Sequence, residues 1–137
     1  VQLEVGDTAT DFEHRTYHDD LHQCQRYYQV LVEGNGLYFG SAGAWYAASA
    51  AYQPIIFPVE MRAAPSGEWA AGTDYYTVTT TSNDRTSRPA AWSTSHIRGG
   101  TLYYQGGSND LSNATAGQAF FTSTYNAAAK IAFNAEL

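Results

Sequence analysis

Lys130-Ile131-Ala132-Phe133-Asn134-Ala135-Glu136-Leu137 places Ile131, Phe133, Ala135 and Leu137 on one face and Lys130, Ala132, Asn134 and Glu136 on the other. Side chains alternate across a β-strand with a period of two, so this segment predicts a strand with one face turned to a core. The same pattern recurs upstream. Residues 55–62 set Ile55, Phe57, Val59 and Met61 against Ile56, Pro58, Glu60 and Arg62. Pro54 and Pro58 cannot donate to a ladder, which predicts an edge or bulged strand there. Residues 25–33, rich in Tyr and Val, suit a pleated surface and run into Gly34-Asn35-Gly36. Asn-Gly is a strong hairpin signal, so residues 37–39 are expected to pair back on them.

Further strands are expected at 74–81, 92–98, 101–105 and 119–125, separated by Gly and polar clusters such as Ser82-Asn83-Asp84 and 106–110. Many short strands at this spacing predict an all-β antiparallel β-sandwich, of jelly-roll type. One short N-terminal helix is expected at 17–24, where Tyr17, Leu21 and Cys24 share a face and Asp19 and Asp20 suit the positive end of the helix dipole. The Ala-rich stretch 42–51 reads as a close-packed contact with another strand or subunit.

The chain has 137 residues, enough for one domain with its own core. Seven basic residues, scattered along the chain, face thirteen acidic ones. Phosphate binding requires concentrated positive charge, so nucleic acid is excluded as an expected partner. Cys24 stands alone, which rules out an intrachain disulfide and any zinc-type cysteine spacing. No apolar run approaches the roughly 20 residues of a membrane span, and Val1 to Asp7 is too mixed and acidic for a signal peptide. A start at Val1 suggests a piece of a longer polypeptide, with 1–15 as the end of a preceding region and 16–137 as the β-sandwich module.

Four segments carry a resemblance. Gln2-Leu3-Glu4 through Asp11-Phe12-Glu13-His14-Arg15 is followed by Cys24-Gln25-Arg26-Tyr27-Tyr28, then by Phe57-Pro58-Val59-Glu60-Met61-Arg62, and last by Phe133-Asn134-Ala135-Glu136-Leu137. In that order they resemble a module at the C-terminal ends of many phage and marine-virus tail-fibre or virion structural proteins. The resemblance implies a jelly-roll-like sandwich, a homotrimer, other virion proteins as partners and a place on the exposed virion surface, at a fibre tip or appendage. This chain departs from that pattern at His18, Asp19, Asp20 and His22, where the family has small or acidic residues. No catalytic residue transfers with it.

Among candidate sites the aromatics matter most. Fifteen per cent of the chain is Phe, Trp or Tyr, with 11 tyrosines, more than a core of this size absorbs. Paired tyrosines such as Tyr75-Tyr76 and Tyr103-Tyr104 point to opposite faces of a strand, so one ring of each pair is expected at a surface or interface. Exposed rings stack on sugars or anchor partners. The candidate ligand-binding residues are Trp45, Trp69, Trp92, Tyr75 and Tyr103, set beside Tyr46, Tyr76 and Tyr104, with a host-surface glycan as the candidate ligand class. Packing between sheets and copies is the plainer use of these rings.

His18 and His22, four apart on the expected helix, are candidate metal ligands but supply only two of the donors a closed site needs. Solvated surface is their default, and no cofactor is expected. Glu13, Asp19, Asp20, Glu60 and Glu68 offer carboxylates without a pairing that a glycosidase would need. A charge network linking Glu60, Arg62 and Arg26 is their plainer reading. No serine has the surroundings of a catalytic nucleophile, so a binding role, not an enzymatic one, is expected. A purely structural decoration or cement protein is the alternative, and a polysaccharide-degrading enzyme the third.

Overall fold

A computed structural model describes residues 11, 14–70, 72, 74–80, 84–87, 89–105 and 115–136, with backbone alone at 84–87. The chain is an antiparallel β-sandwich with one short helix, as the alternation predicts. In order come α1 (Tyr17–Gln25), β1 (Tyr28–Glu33), β2 (Tyr38–Ala47), β3 (Ala50–Ile56), β4 (Ser66–Trp69) and β5 (Tyr76–Thr79). After them come β6 (Asp84–Ser87), β7 (Ala91–His96), β8 (Gly99–Gln105), β9 (Ala119–Thr124) and β10 (Lys130–Asn134). Three strands in the order β1-β10-β4 face seven in the order β6-β5-β9-β2-β3-β8-β7. The expected region 1–15 lies almost wholly outside the described residues.

β10 is the middle strand of the small sheet, paired with β1 on one side and β4 on the other. Its Ile131 and Phe133 are fully buried, on the face the sequence assigns to the core. Phe133 meets Phe57 at 4.9 Å and Trp92 at 4.5 Å between ring centroids, and this cluster joins the two sheets. A polar tie runs beside it. The Tyr76 hydroxyl, carried by β5 of the large sheet, donates to the Lys130 carbonyl of β10 at 2.7 Å.

The Asn-Gly signal is corrected by the structure. β1 pairs with β10, and β2 pairs with β3 and β9, so the two strands flanking Gly34-Asn35-Gly36 belong to different sheets. Positive φ falls on Gly34 (116°) and Gly36 (73°) but not on Asn35, which a type I′ turn requires. The amides of this turn are satisfied from outside it. Gly34 N donates to Ala129 O, Gly36 N to Thr124 O and Leu37 N to Thr124 Oγ1. The segment is therefore a crossover pinned to the β9–β10 connection.

The expectation at 55–62 is right in its faces and wrong in its ladder. Ile55, Phe57 and Met61 are buried while Ile56, Pro58, Glu60 and Arg62 are exposed. Strand pairing, however, stops at Ile56, and beyond it Phe57 N and Met61 N donate to Arg98 O and Ile97 O. Nor is β3 an edge strand; it lies between β2 and β8. Pro54 is accommodated because β2 has left the ladder at that level: β2 and β3 pair only from Ala44↔Tyr52 to Ala47↔Ala50. The gap also frees the Pro54 carbonyl to accept from Ser41 Oγ at 2.7 Å.

The departure of β2 between Phe39 and Gly43 turns carbonyls inward, and a buried side chain meets them. Gln53 Nε2 donates to Phe39 O and Ser41 O, each at 2.9 Å. Its Oε1 accepts from the hydroxyls of Tyr104 and Thr122, each also at 2.9 Å. Gln53, Tyr104 and Thr122 are all buried, and Thr122 Oγ1 also lies 2.6 Å from Gln53 Nε2 and 3.1 Å from Phe39 O, so these groups satisfy one another. Leaving a buried polar group unpaired costs about 1–3 kcal/mol. Gln53→Leu removes the partner of the Tyr104 phenol and of the Ser41 carbonyl, while Phe39 O keeps the Thr122 hydroxyl at 3.1 Å, and is expected to lower stability by about 1–3 kcal/mol, read as a lower urea midpoint at unchanged slope.

Burial pushes the Tyr104 phenol well above the ordinary tyrosine value of 10.0. A folded-state value raised above the unfolded one contributes stability that is present below the unfolded value and lost as pH rises through it. Thermal stability should therefore fall above about pH 10. Tyr104→Phe should flatten that alkaline decline, as measured by melting temperature against pH.

Candidate functional site

Register places one row of side chains across the outer face of the large sheet. Ala119 of β9 pairs with Ala44 of β2, Ala44 with Tyr52 of β3, Tyr52 with Tyr103 of β8, and Tyr103 with Ala91 of β7. The row reads Ala-Ala-Tyr-Tyr-Ala, two neighbouring rings flanked by methyl groups. Tyr52 and Tyr103 stack at 4.9 Å, and Tyr46 adds a third ring edge-on to Tyr52 at 5.9 Å. Stacked and edge-to-face pairs of this kind hold each other upright. The short flanking side chains leave the group standing clear: Tyr46 is 75% exposed and Tyr52 38%.

This face carries no formal charge at its centre. None of β2, β3, β8 and β9 contains Asp, Glu, Lys or Arg. Tyr38 and Phe121, also on outward positions of β2 and β9, extend the aromatic surface. Charged groups with partners lie elsewhere, Glu33, Glu68 and Lys130 on the three-stranded sheet. Arg98 pairs with Glu60 at 3.0 Å, Lys130 with Glu33 at 3.4 Å, and Asn134 donates to Glu68. The expected Glu60–Arg62–Arg26 network is not formed: the Arg62 guanidinium lies over the Tyr27 ring at 5.0 Å, and Arg62 N donates to Arg26 O. Glu13 lies outside the described residues.

Of the five candidate ligand-binding aromatics, Tyr103 alone belongs to the outer ring group, where it is half-buried against Tyr52. Trp45 is 1% exposed, packed on Phe120 at 5.7 Å on the inward face of β2, so its ring is unavailable to a ligand. Trp92 shares a face with buried Leu102 and fits a niche made by two glycines. A Cβ at Gly100 would meet its ring at 2.5 Å, and one at Gly67 would approach its Cβ at 2.9 Å. Trp69 and Tyr75 pack partly buried against the core, Tyr75 edge-on to Tyr76. Among the described residues the buried indole nitrogens of Trp45 and Trp92 meet no hydrogen-bond partner, and the contacts of these rings are aromatic packing. Tyr52 was not singled out by its sequence. It stands apart from any Tyr-Tyr pair, and the signal that finds it is its register opposite Tyr103.

Elsewhere, a cleft of about 410 Å³ lies between α1, β1 and the end of β3, lined by Leu21, Tyr28, Val30, Ile56 and Pro58 among others. α1 buries none of its residues. It presents His18 and His22 to solvent with ring centroids 4.2 Å apart. Among the described residues, no group of three or more His, Cys, Asp or Glu side chains could hold a metal ion, and no helix is long and apolar enough to cross a membrane. Cys24 is exposed with a free thiol.

No protein-family model matches this chain, and neither a curated protein nor a solved structure matches it.

The division between structural and exposed rings has a direct test. Trp92→Ala should cost about 3–5 kcal/mol because it empties the inter-sheet cluster. Tyr46→Ala should change stability by about 0.5 kcal/mol or less. Chemical denaturation of both variants checks the contrast.

Proposed function

We propose that this chain is the exposed module of a virion-surface protein, a tail-fibre tip or appendage, that forms a homotrimer and contacts a host-surface glycan through Tyr46, Tyr52 and Tyr103. The observation that carries the reading is the group of three mutually supporting rings on an uncharged sheet face. A pyranose has an apolar face of C–H groups and a rim of hydroxyls, and tyrosine answers both, with a flat ring and a phenol that donates and accepts. Tyrosine also loses little side-chain entropy on binding. The surrounding Ala44, Ala91 and Ala119 leave room for a ligand to settle beside the rings.

The viral assignment rests on the four-segment resemblance and on the β-sandwich that it implies. Self-association is supported by large apolar side chains left in solvent, Ile56 at 82% and Phe121 at 59% exposure, which an interface between copies would cover. Repetition around a three-fold axis turns weak single sites into useful avidity without new contacts. A decoration protein that buries these same side chains between copies is the second reading, favoured by the same exposed Ile56 and Phe121.

A glycan array probed with the full chain tests the proposal. Specific hits are expected, weakened about tenfold by each of Tyr52→Ala and Tyr103→Ala, since a lost aromatic contact is worth about 0.5–1.5 kcal/mol beyond its area. Sedimentation equilibrium is expected to give three copies per particle. Silence across the array with an intact trimer favours the decoration reading, a monomer removes the trimer, and shortened glycan products establish an enzyme.

A further inference from the structure

We propose that His18 and His22 form an exchangeable two-imidazole site for a late first-row divalent metal ion, with Cu(II) bound most tightly and Ni(II) and Zn(II) less so. The two residues lie one helical turn apart on α1, and their rings are already in contact, tilted by 49° with centroids 4.2 Å apart. A metal bound to one nitrogen of each at about 2.0 Å places the centroids roughly 5 Å apart, reachable by small side-chain rotations. Neither ring has another hydrogen-bond or ion-pair partner among the described residues. Both are open to solvent, so an ion reaches them without any rearrangement of the fold.

The local backbone is held for this purpose on both sides. Thr16 caps α1, its Oγ1 accepting from Asp19 N at 3.2 Å. Arg15 reaches along the helix to donate to Gln23 Oε1 at 2.8 Å. Counter-charge is also present: Asp19 and Asp20 lie between the two histidines in sequence, and the Thr16 hydroxyl donates to Asp19 Oδ2 at 2.6 Å.

The donor count sets the kind of site. Structural zinc takes four protein ligands and closes its coordination sphere, whereas two imidazoles leave further positions to water or to a donor from another molecule. Imidazole suits Cu, Ni and Zn, and the affinity order of divalent ions then places Cu(II) first. The sandwich does not depend on this metal, because α1 contributes no buried residue to the core. For the same reason, substitutions here leave the domain folded, and far-ultraviolet circular dichroism checks that they do.

Titration of the full chain with Cu(II) alone, followed by electron paramagnetic resonance, provides the test. The expected spectrum shows one copper bound by two imidazole nitrogens. His18→Gln and His22→Gln should each weaken binding by about tenfold or more. A variant lacking the other two histidines, His14→Gln with His96→Gln, should bind as the unaltered chain does. Amide exchange at residues 22–25 should slow on adding Cu(II), since a chelate across one turn ties that turn together. Undiminished binding in the His18→Gln/His22→Gln double variant, a single-nitrogen spectrum, or unchanged amide exchange overturns the proposal.

Discussion

The Gln53 carboxamide is the constraint on which the large sheet depends. β2 leaves its ladder between Phe39 and Gly43, and there the Gln53 amide meets the Phe39 and Ser41 carbonyls, Phe39 O also accepting from the Thr122 hydroxyl. One side chain with two donors and two acceptor lone pairs spans the irregularity, with the Tyr104 and Thr122 hydroxyls at its acceptor side. The backbone geometry is tuned to that contact. Gly40 adopts φ 69°, and a Cβ there would stand 2.7 Å from Gln53 Nε2 and 2.8 Å from Ile55 Cδ1. Because β2 is displaced here, Pro54 is tolerated in the middle of a sheet. β2 pairs with β3 from Ala44 on, and Tyr46, in a second irregularity between Trp45 and Ala47, meets Tyr52 edge-on.

Much of this fold can be read from alternation, because burial imposes a period of two wherever one face of a strand meets a core. Ile131 and Phe133, and the inward set Ile55, Phe57 and Met61, lie where the pattern puts them. α1 appears within one residue of its expected span. Pairing is a different matter. Which strand lies beside which is decided by contacts distant in sequence, and the Gly34-Asn35-Gly36 signal, local by nature, says nothing of Thr124 and Ala129, which capture its amides. Pro54 misled for the same reason: its missing donor faces a gap created by a bulge in another strand.

The aromatic residues show where composition stops being informative. An excess of rings implies that some must lie outside the core, yet tryptophan is too large to be left in solvent when an inter-sheet space of its shape exists. Gly67 and Gly100 make such a space for Trp92, and Phe120 provides a wall for Trp45. The tyrosines were sorted more legibly. In Tyr103-Tyr104 the two rings point to opposite faces as strand geometry demands, one to the Gln53 network and the other to the exposed row. Tyr52 became visible only through register.

The absence of charge from the exposed row is what supports its proposed role as a binding surface. A broad sheet face without charge invites nonspecific association, and proteins ordinarily interrupt such faces with lysine or glutamate. Here charge is available but placed elsewhere, with Lys130 and Glu33 paired on the three-stranded sheet, Arg98 paired with Glu60 outside the strands, and acids on α1. The outward face of β2, β3, β8 and β9 stays neutral and aromatic. In this it matches the cores of binding surfaces, which are depleted in charge and enriched in tyrosine. The same separation favours a neutral ligand over a charged one. An ionic group brought to the centre of this face loses hydration and finds no opposite charge on β2, β3, β8 or β9 to replace it.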